Sequence, residues 1–371
     1  MQIDFLFFVE DPGAANFVAP LIPFLEEEKY NVKVIADGIA QDYLRKFGIE
    51  FDYNDKKEDA KIIFNKYNPR LLIVGTAENP NTLGLRLIEV ARYKGIKSIA
   101  VIDARMNSEF RFSGGTNHAL RYVPDYLLVP DEWTKESFNK IGFPKEKIFV
   151  CGNPHFDYVF DVAVRLHREG FYSTRSRIFP DLHPNKKVLT FISEGSQRTI
   201  PVSYNQILNE NYMFNGRGSS TGRTEIAVEE FLDAVESFRP QCYLVLRLHP
   251  KDVPSDFLAY KEEFDYFSQK EDPLETVYAS DIVVGMTSML LCEASLLGKT
   301  IISLVPTIKE KDYFPVMKGY DVTFVHDSYE LMNELKHEVS KEFLFSKQMP
   351  KRDHESISKS IINYFNRCFQ E

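Results

Sequence analysis

The stretch "DIVVGMTSMLLCEASLLGKTIISLVP", residues 281–306, reads as a buried strand, a small polar turn, a helix and a second buried strand. The first strand ends at Gly285, Met286 to Ser288 make the turn, the helix runs on to Gly298, and "KTIISLVP" is apolar again. Apolar runs without alternation, joined by a helix, are the mark of parallel strands in a sheet covered on both faces. The turn brings the helix's unpaired N–H groups and positive dipole end to the carboxyl edge of the sheet, an arrangement suited to phosphate. Met286, Thr287 and Ser288 lie at that edge, and Thr287 and Ser288 can either cap the helix or donate hydroxyl hydrogen bonds to an anion. Glu293, about one and a half turns further on, comes within reach of a ribose if a phosphate occupies the turn.

The same alternation extends in both directions. Upstream, "IDFLFFV" (3–9), "NVKVIAD" (31–37), "RLLIVGT" (70–76), "KSIAVID" (97–103), "DYLLVPD" (125–131) and "KIFVCGN" (147–153) read as strands. Helix-period segments at 15–28, 39–47, 82–95 and 132–142 separate them. A second series has strands at 186–195, 241–250, 281–286, 299–306 and 321–325, with helices at 224–238, 273–279, 287–298, 329–340 and 355–368. The polar, basic stretch "REGFYSTRSRIFPDLHPNK" interrupts the pattern. The expected organisation is therefore a Rossmann-like domain over 1–170, a linker at 171–186, a second Rossmann-like domain over 187–350, and a last helix within 351–371 that could cross back to the first domain. The 198–223 connection is long enough to be a lid or an insertion.

Composition sets outer limits. A chain of 371 residues with 44% hydrophobic and 27% charged residues is globular and large enough for two cores. A formal net charge of −9 excludes a general nucleic-acid binder. Cys151, Cys242, Cys292 and Cys368 form no CxxC pair and read as buried thiols of a cytoplasmic protein. No stretch has the length and hydropathy of a membrane helix, which leaves only peripheral contact with the inner face of a membrane.

The other informative residues also follow strand ends. "YLVLRLHPKD" (243–252) ends a buried strand in Arg247, His249 and Lys251, with Pro250 stopping the ladder. "VLTFISEG" ends in Ser193, Glu194 and Gly195, where the glycine lets backbone approach a ligand. In the first half, "FVEDPGAANFVAPL" supplies Asp11, Gly13 and Asn16, a set equally compatible with a turn former and helix cap. "GTAENPN" supplies Glu78, and "VIDARMNSEFRF" supplies Asp103, Arg105 and Asn107. His183-Pro184 in "DLHPN" precedes a strand, the wrong edge for a ligand, and reads as structural.

The pattern E-A-x-x-x-G following strand and turn resembles the nucleotide-binding half of GT-B glycosyltransferases, and the two-sheet layout extends the resemblance along the whole chain. "RLHP" resembles the His-Pro motif of bacterial sialyl-, polysialyl- and Kdo transferases and CDP-glycerol polymerases. The resemblance implies an α/β GT-B fold, two Rossmann-like doubly wound domains with an interdomain cleft. It implies a nucleotide-sugar donor, CMP-acidic sugar or UDP-sugar, on the second domain, contacted by Ser193, Gly195, Arg247, Lys251, Met286, Thr287, Ser288 and Glu293. A glycan or lipid-linked acceptor would meet Gly13, Asn16, Glu78, Asp103, Arg105 and Asn107. Asp11 or Glu194 would be the base and His249 would assist departure of the nucleotide, without metal or other cofactor, in surface polysaccharide assembly. The acid expected before Glu194 is Ser193 here. A CDP-glycerol-type phosphotransferase, a non-hydrolysing UDP-N-acetylglucosamine 2-epimerase and a catalytically silent nucleotide-sugar binder remain alternatives.

Overall fold

The computed structural model describes residues 2–53, 59–77, 79–104, 107–195, 213–218, 220, 222–305, 322–342 and 356–370. The expectations for Glu78, Arg105, the Cys368 side chain and most of 198–223 lie outside the described residues. The chain divides into two compact units, Met1–Tyr158 with Arg352–Glu371, and Val159–Lys351.

Strands are numbered in chain order. The first unit holds a seven-stranded sheet in the order β3-β2-β1-β4-β5-β6-β7. Its strands are β1 (Ile3–Val9), β2 (Val32–Ala36), β3 (Asp52–Tyr53), β4 (Pro69–Gly75), β5 (Lys97–Val101), β6 (Tyr126–Val129) and β7 (Ile148–Val150). Every pairing is parallel. Alternation along β1 supplies both cores: Phe5, Phe7 and Val9 enter one hydrophobic cluster, and Leu6 and Phe8 the other. Helix Pro12–Val18 crosses close to β4 because Gly75 lacks a side chain, where a Cβ would lie 2.5 Å from that of Ala14. The segment read as one helix at 15–28 is two, Pro12–Val18 and Leu21–Glu27, separated by Ala19 and Pro20.

The last helix, Ile357–Gln370, belongs to this first unit. Its Ile361, Ile362 and Phe365 are buried in the cluster of Phe5 and Phe7. The helix start is clipped by Asp157, whose Oδ2 accepts from Ser356 Oγ, Ser358 N and Ser358 Oγ, each at 2.8 Å.

The second unit holds a six-stranded sheet in the order β10-β9-β8-β11-β12-β13. Its strands are β8 (Lys187–Ile192), β9 (Cys242–Arg247), β10 (Tyr266–Ser268), β11 (Ile282–Gly285), β12 (Thr300–Leu304) and β13 (Val322–Val325). These pairings are parallel too. Helices Arg223–Val235 and Ser328–Ser340 cover one face, with Phe231, Val235, Leu331 and Leu335 in the same core as β8, β9 and β11.

One expected boundary is corrected. Residues 171–186 are not a linker: Phe171–Ile178 is a helix of the second unit, with Phe171, Thr174, Arg175 and Ile178 buried. The Arg175 guanidinium holds Asp281 at 2.8 Å, so the basic character of this stretch serves the unit's interior. The division between the units falls at Tyr158, within helix His155–Glu169.

Candidate functional site

In a parallel doubly wound sheet, ligands bind beyond the carboxyl ends of the strands, where the strand order reverses. In the second unit that point lies between β8 and β11. The loop after β8 begins Ser193-Glu194-Gly195, and the turn after β11 is Met286-Thr287-Ser288, which leads into helix Met289–Leu296. Ser288 is the N-cap, its hydroxyl accepting from Leu290 N.

The amides of Met286, Thr287 and Ser288 converge on a single atom, Glu194 Oε1, at 3.1 Å from Met286 and 2.6 Å from Ser288, with the Thr287 amide between them. Glu194 Oε2 accepts from Thr287 Oγ1 at 3.0 Å and from Arg223 Nη1 at 2.9 Å. Three successive N–H groups aimed at one oxygen form an anion-binding nest, reinforced by the helix dipole. The sequence pointed to this turn, and the structure seats a carboxylate of the chain itself in it. Both oxygens of Glu194 are engaged, so action as a base would first require these contacts to break.

Beside the nest, Asp252 ties the β8 and β9 loops together. Its Oδ2 accepts from Ser193 Oγ at 2.6 Å and from His249 N at 3.2 Å. His249 Nδ1 accepts from Lys251 N at 3.2 Å, which leaves the ring's proton on Nε2. Burial pushes the imidazole below its ordinary value of 6.5, opposed by Asp252, so the neutral ring prevails at neutral pH. Gly195 takes a left-handed φ of 104°, and its carbonyl accepts from Thr224 Oγ1 at 2.6 Å.

Of the other expected donor contacts, only Arg247 is turned away from the turn. Arg247 is buried and turns toward the β10 edge, donating to Ser268 Oγ at 2.9 Å and Glu271 O at 2.8 Å. Lys251 is exposed. Glu293 is buried, 7% exposed, in the second turn of its helix. The cation at the nest is Arg223, which sequence reasoning did not single out because it closes the long connection and follows no strand. One signal was available: an arginine in a helix's first turn opposes the dipole, so a local anion should offset it.

The first unit has its own reversal, between β1 and β4. Asn79 Nδ2, after β4, donates to Glu10 Oε1, after β1, at 2.6 Å. Asp11 is the N-cap residue of helix Pro12–Val18, but its side chain does not cap it. Asp103, after β5, pairs with the buried Arg111 at 3.0 Å, and Arg111 also reaches Thr76 Oγ1 at 2.7 Å and Ala104 O at 3.1 Å. Gly13 makes room for Asp103, since a Cβ there would lie 1.8 Å from its Oδ2. Asn16 is half-buried on the same helix. Asn107 adopts a left-handed φ of 62° and accepts from Phe110 N at 3.0 Å, as a turn former does. Glu10, Asp11, Asp103 and Asn79 thus share one rim.

Two Rossmann-like units with parallel sheets of seven and six strands define the protein as a GT-B fold. No protein-family model matches the chain, and no curated protein sequence matches it. Solved structures do. A UDP-GlcNAc 2-epimerase from Neisseria meningitidis, bound to UDP-GlcNAc, has a TM-score of 0.64 at 16% identity, covering 99% of this chain and 100% of that one. S. aureus MnaA with UDP has a TM-score of 0.63 at 14% identity, covering 100% of this chain and 97% of that one. A UDP-GlcNAc 2-epimerase from Methanocaldococcus jannaschii, with UDP-GlcNAc and UDP, has a TM-score of 0.60 at 13% identity, covering 99% and 100%. At 13–16% identity the likeness is one of fold, and it does not single out the sialyl- or Kdo-transferase group. Among the described residues, no helix is long and apolar enough to cross a membrane.

Proposed function

We propose that the protein is an enzyme acting on a nucleotide-sugar, its phosphate seated at the Met286–Ser288 turn and its ribose held by Glu293. The reaction breaks the bond between the anomeric carbon and the phosphate oxygen and re-forms it to the same UDP after inversion at C2, in the manner of a non-hydrolysing UDP-N-acetylglucosamine 2-epimerase. The observation that carries this is the convergence of three backbone amides on one anionic oxygen at the switch point of the second sheet. Full-length likeness in fold to enzymes described with UDP and UDP-GlcNAc supports the choice of nucleotide.

In this reading Arg223 and the amides offset the charge that grows on the departing diphosphate. His249, neutral with its proton on Nε2, donates a hydrogen bond to that phosphate. Inversion at C2 requires a C–H bond to break and re-form, and the base proposed for it is Asp11. Glycosyl transfer in polysaccharide assembly is the second reading, favoured by the His249-Pro250 ending of β9. It shares the departure step but passes the anomeric carbon to an acceptor hydroxyl.

Incubation with UDP-N-acetylglucosamine in D2O, without acceptor, separates the two by proton NMR. The epimerase reading expects UDP-N-acetylmannosamine, with deuterium at C2 of the sugar. An unchanged sugar whose UDP is released only when a glycan or lipid-linked acceptor is added supports transfer. No conversion of the sugar under either condition overturns the assignment to this donor.

A further inference from the structure

The nest is already filled. Its occupant is the carboxylate of Glu194, and this contact has a consequence for how any phosphate reaches the site. Arg223 is buried, with 7% of its side chain exposed, and the amides of Met286, Thr287 and Ser288 point to the same place. A desolvated guanidinium beside three unpaired N–H groups is costly to leave without an anion. Glu194 supplies that anion with all four partners at once.

Two observations make this occupancy exchangeable rather than permanent. Glu194 keeps 13% of its side chain exposed, so the carboxylate borders solvent. It also stands two residues beyond the end of β8 and directly before Gly195, whose left-handed φ of 104° is a backbone conformation most residues avoid. Ser193 and Asp252 on one side, and Thr224 at the Gly195 carbonyl on the other, hold the flanking residues through contacts that do not involve the Glu194 carboxylate. The side chain can therefore leave while its loop stays anchored.

Resting on the reading of this turn as the phosphate site, we propose that Glu194 is a built-in place-holder. A nucleotide's phosphate enters by displacing the carboxylate, and Arg223 passes from Glu194 to the phosphate as its principal cation. The two anions exclude one another, since both cannot occupy one set of amides. Free protein is thus held in a closed form with its nest neutralised, and ligand binding is weakened by the fraction of molecules in which Glu194 is out.

Calorimetric titration of UDP and of uridine into the full chain tests this. Glu194→Gln, which keeps the shape and removes the charge, is expected to bind UDP about tenfold tighter than the unsubstituted protein, as for a competent state populated at roughly 10%. Uridine binding should not change. Adding Arg223→Gln to that variant should weaken UDP about tenfold and leave uridine unaffected. UDP bound equally well or more weakly by a folded Glu194→Gln variant overturns the place-holder while keeping the phosphate site. UDP bound by none of the proteins overturns the phosphate-site reading and the place-holder with it. If Glu194→Gln does not fold, Glu194→Asp takes its place: the shorter carboxylate cannot span the nest, and UDP must bind it more tightly than the parent or the proposal fails.

Discussion

At the scale of single residues, Gly13 and His249 give the clearest tests. Gly13 is needed for space, not for its backbone angle. An added Cβ would meet Asp103 Oδ2 at 1.8 Å and Cγ at 2.6 Å, so Asp103 would have to leave the position in which Arg111 holds it. Gly13→Ala is expected to cost about 1–3 kcal/mol of stability, the usual range for overpacking; chemical unfolding measures it, and an unchanged midpoint would mean the rim yields freely. For His249 the sign follows from burial. Its folded value lies below the ordinary 6.5, so the unfolded chain binds more protons in the window just under 6.5. Stability should therefore fall as pH drops below about 6.5, and His249→Gln should flatten that part of the profile. Comparing urea midpoints at about pH 5.5 and about pH 7.5 in the two proteins gives the answer.

Secondary-structure elements explain what the sequence could and could not disclose. Strands such as "IDFLFFV" and "CYLVLR" are apolar but for one residue each, with no alternation, because helices cover both faces, and such runs can be read directly. β3 and β10, edge strands of two and three residues, leave no pattern. Phe171–Ile178 looks like a linker because only packing and the Arg175–Asp281 pair reveal its buried side. At the candidate site, the Thr287–Ser288 turn and the Ser193–Gly195 loop were legible from their places after strands. The partnership of Glu194 with that turn was not, for it joins residues more than ninety positions apart. Arg223 was hidden because it closes the long connection and follows no strand. The last helix offers its own test. Asp157 receives three hydrogen bonds from its start, and bonds to a charged group are each worth about 1.5–3 kcal/mol. Asp157→Ala should expose Ile361, Ile362 and Phe365 to faster amide exchange before the rest of the first unit. Exchange that remained uniform across the unit would show that apolar burial alone docks the helix.

At the scale of the molecule, both units follow one rule: polar groups bridge neighbouring strand ends where strand order reverses. In the first, Glu10 and Asn79 bridge β1 and β4; in the second, Glu194 and the Met286–Ser288 amides bridge β8 and β11. The first rim is acidic, and the second offers N–H groups, a helix start and an arginine. This division of charge is why the proposed phosphate site lies in the second unit. Saturation with UDP at about a hundredfold above its dissociation constant should stabilise the protein by about 2.7 kcal/mol. The most direct measurement is a crystal structure with UDP bound. The expected result is a phosphate oxygen within hydrogen-bond distance of the Met286, Thr287 and Ser288 amides, with Arg223 on the phosphate and the Glu194 carboxylate out of the nest. UDP bound elsewhere, with Glu194 still seated on those three amides, would contradict the account.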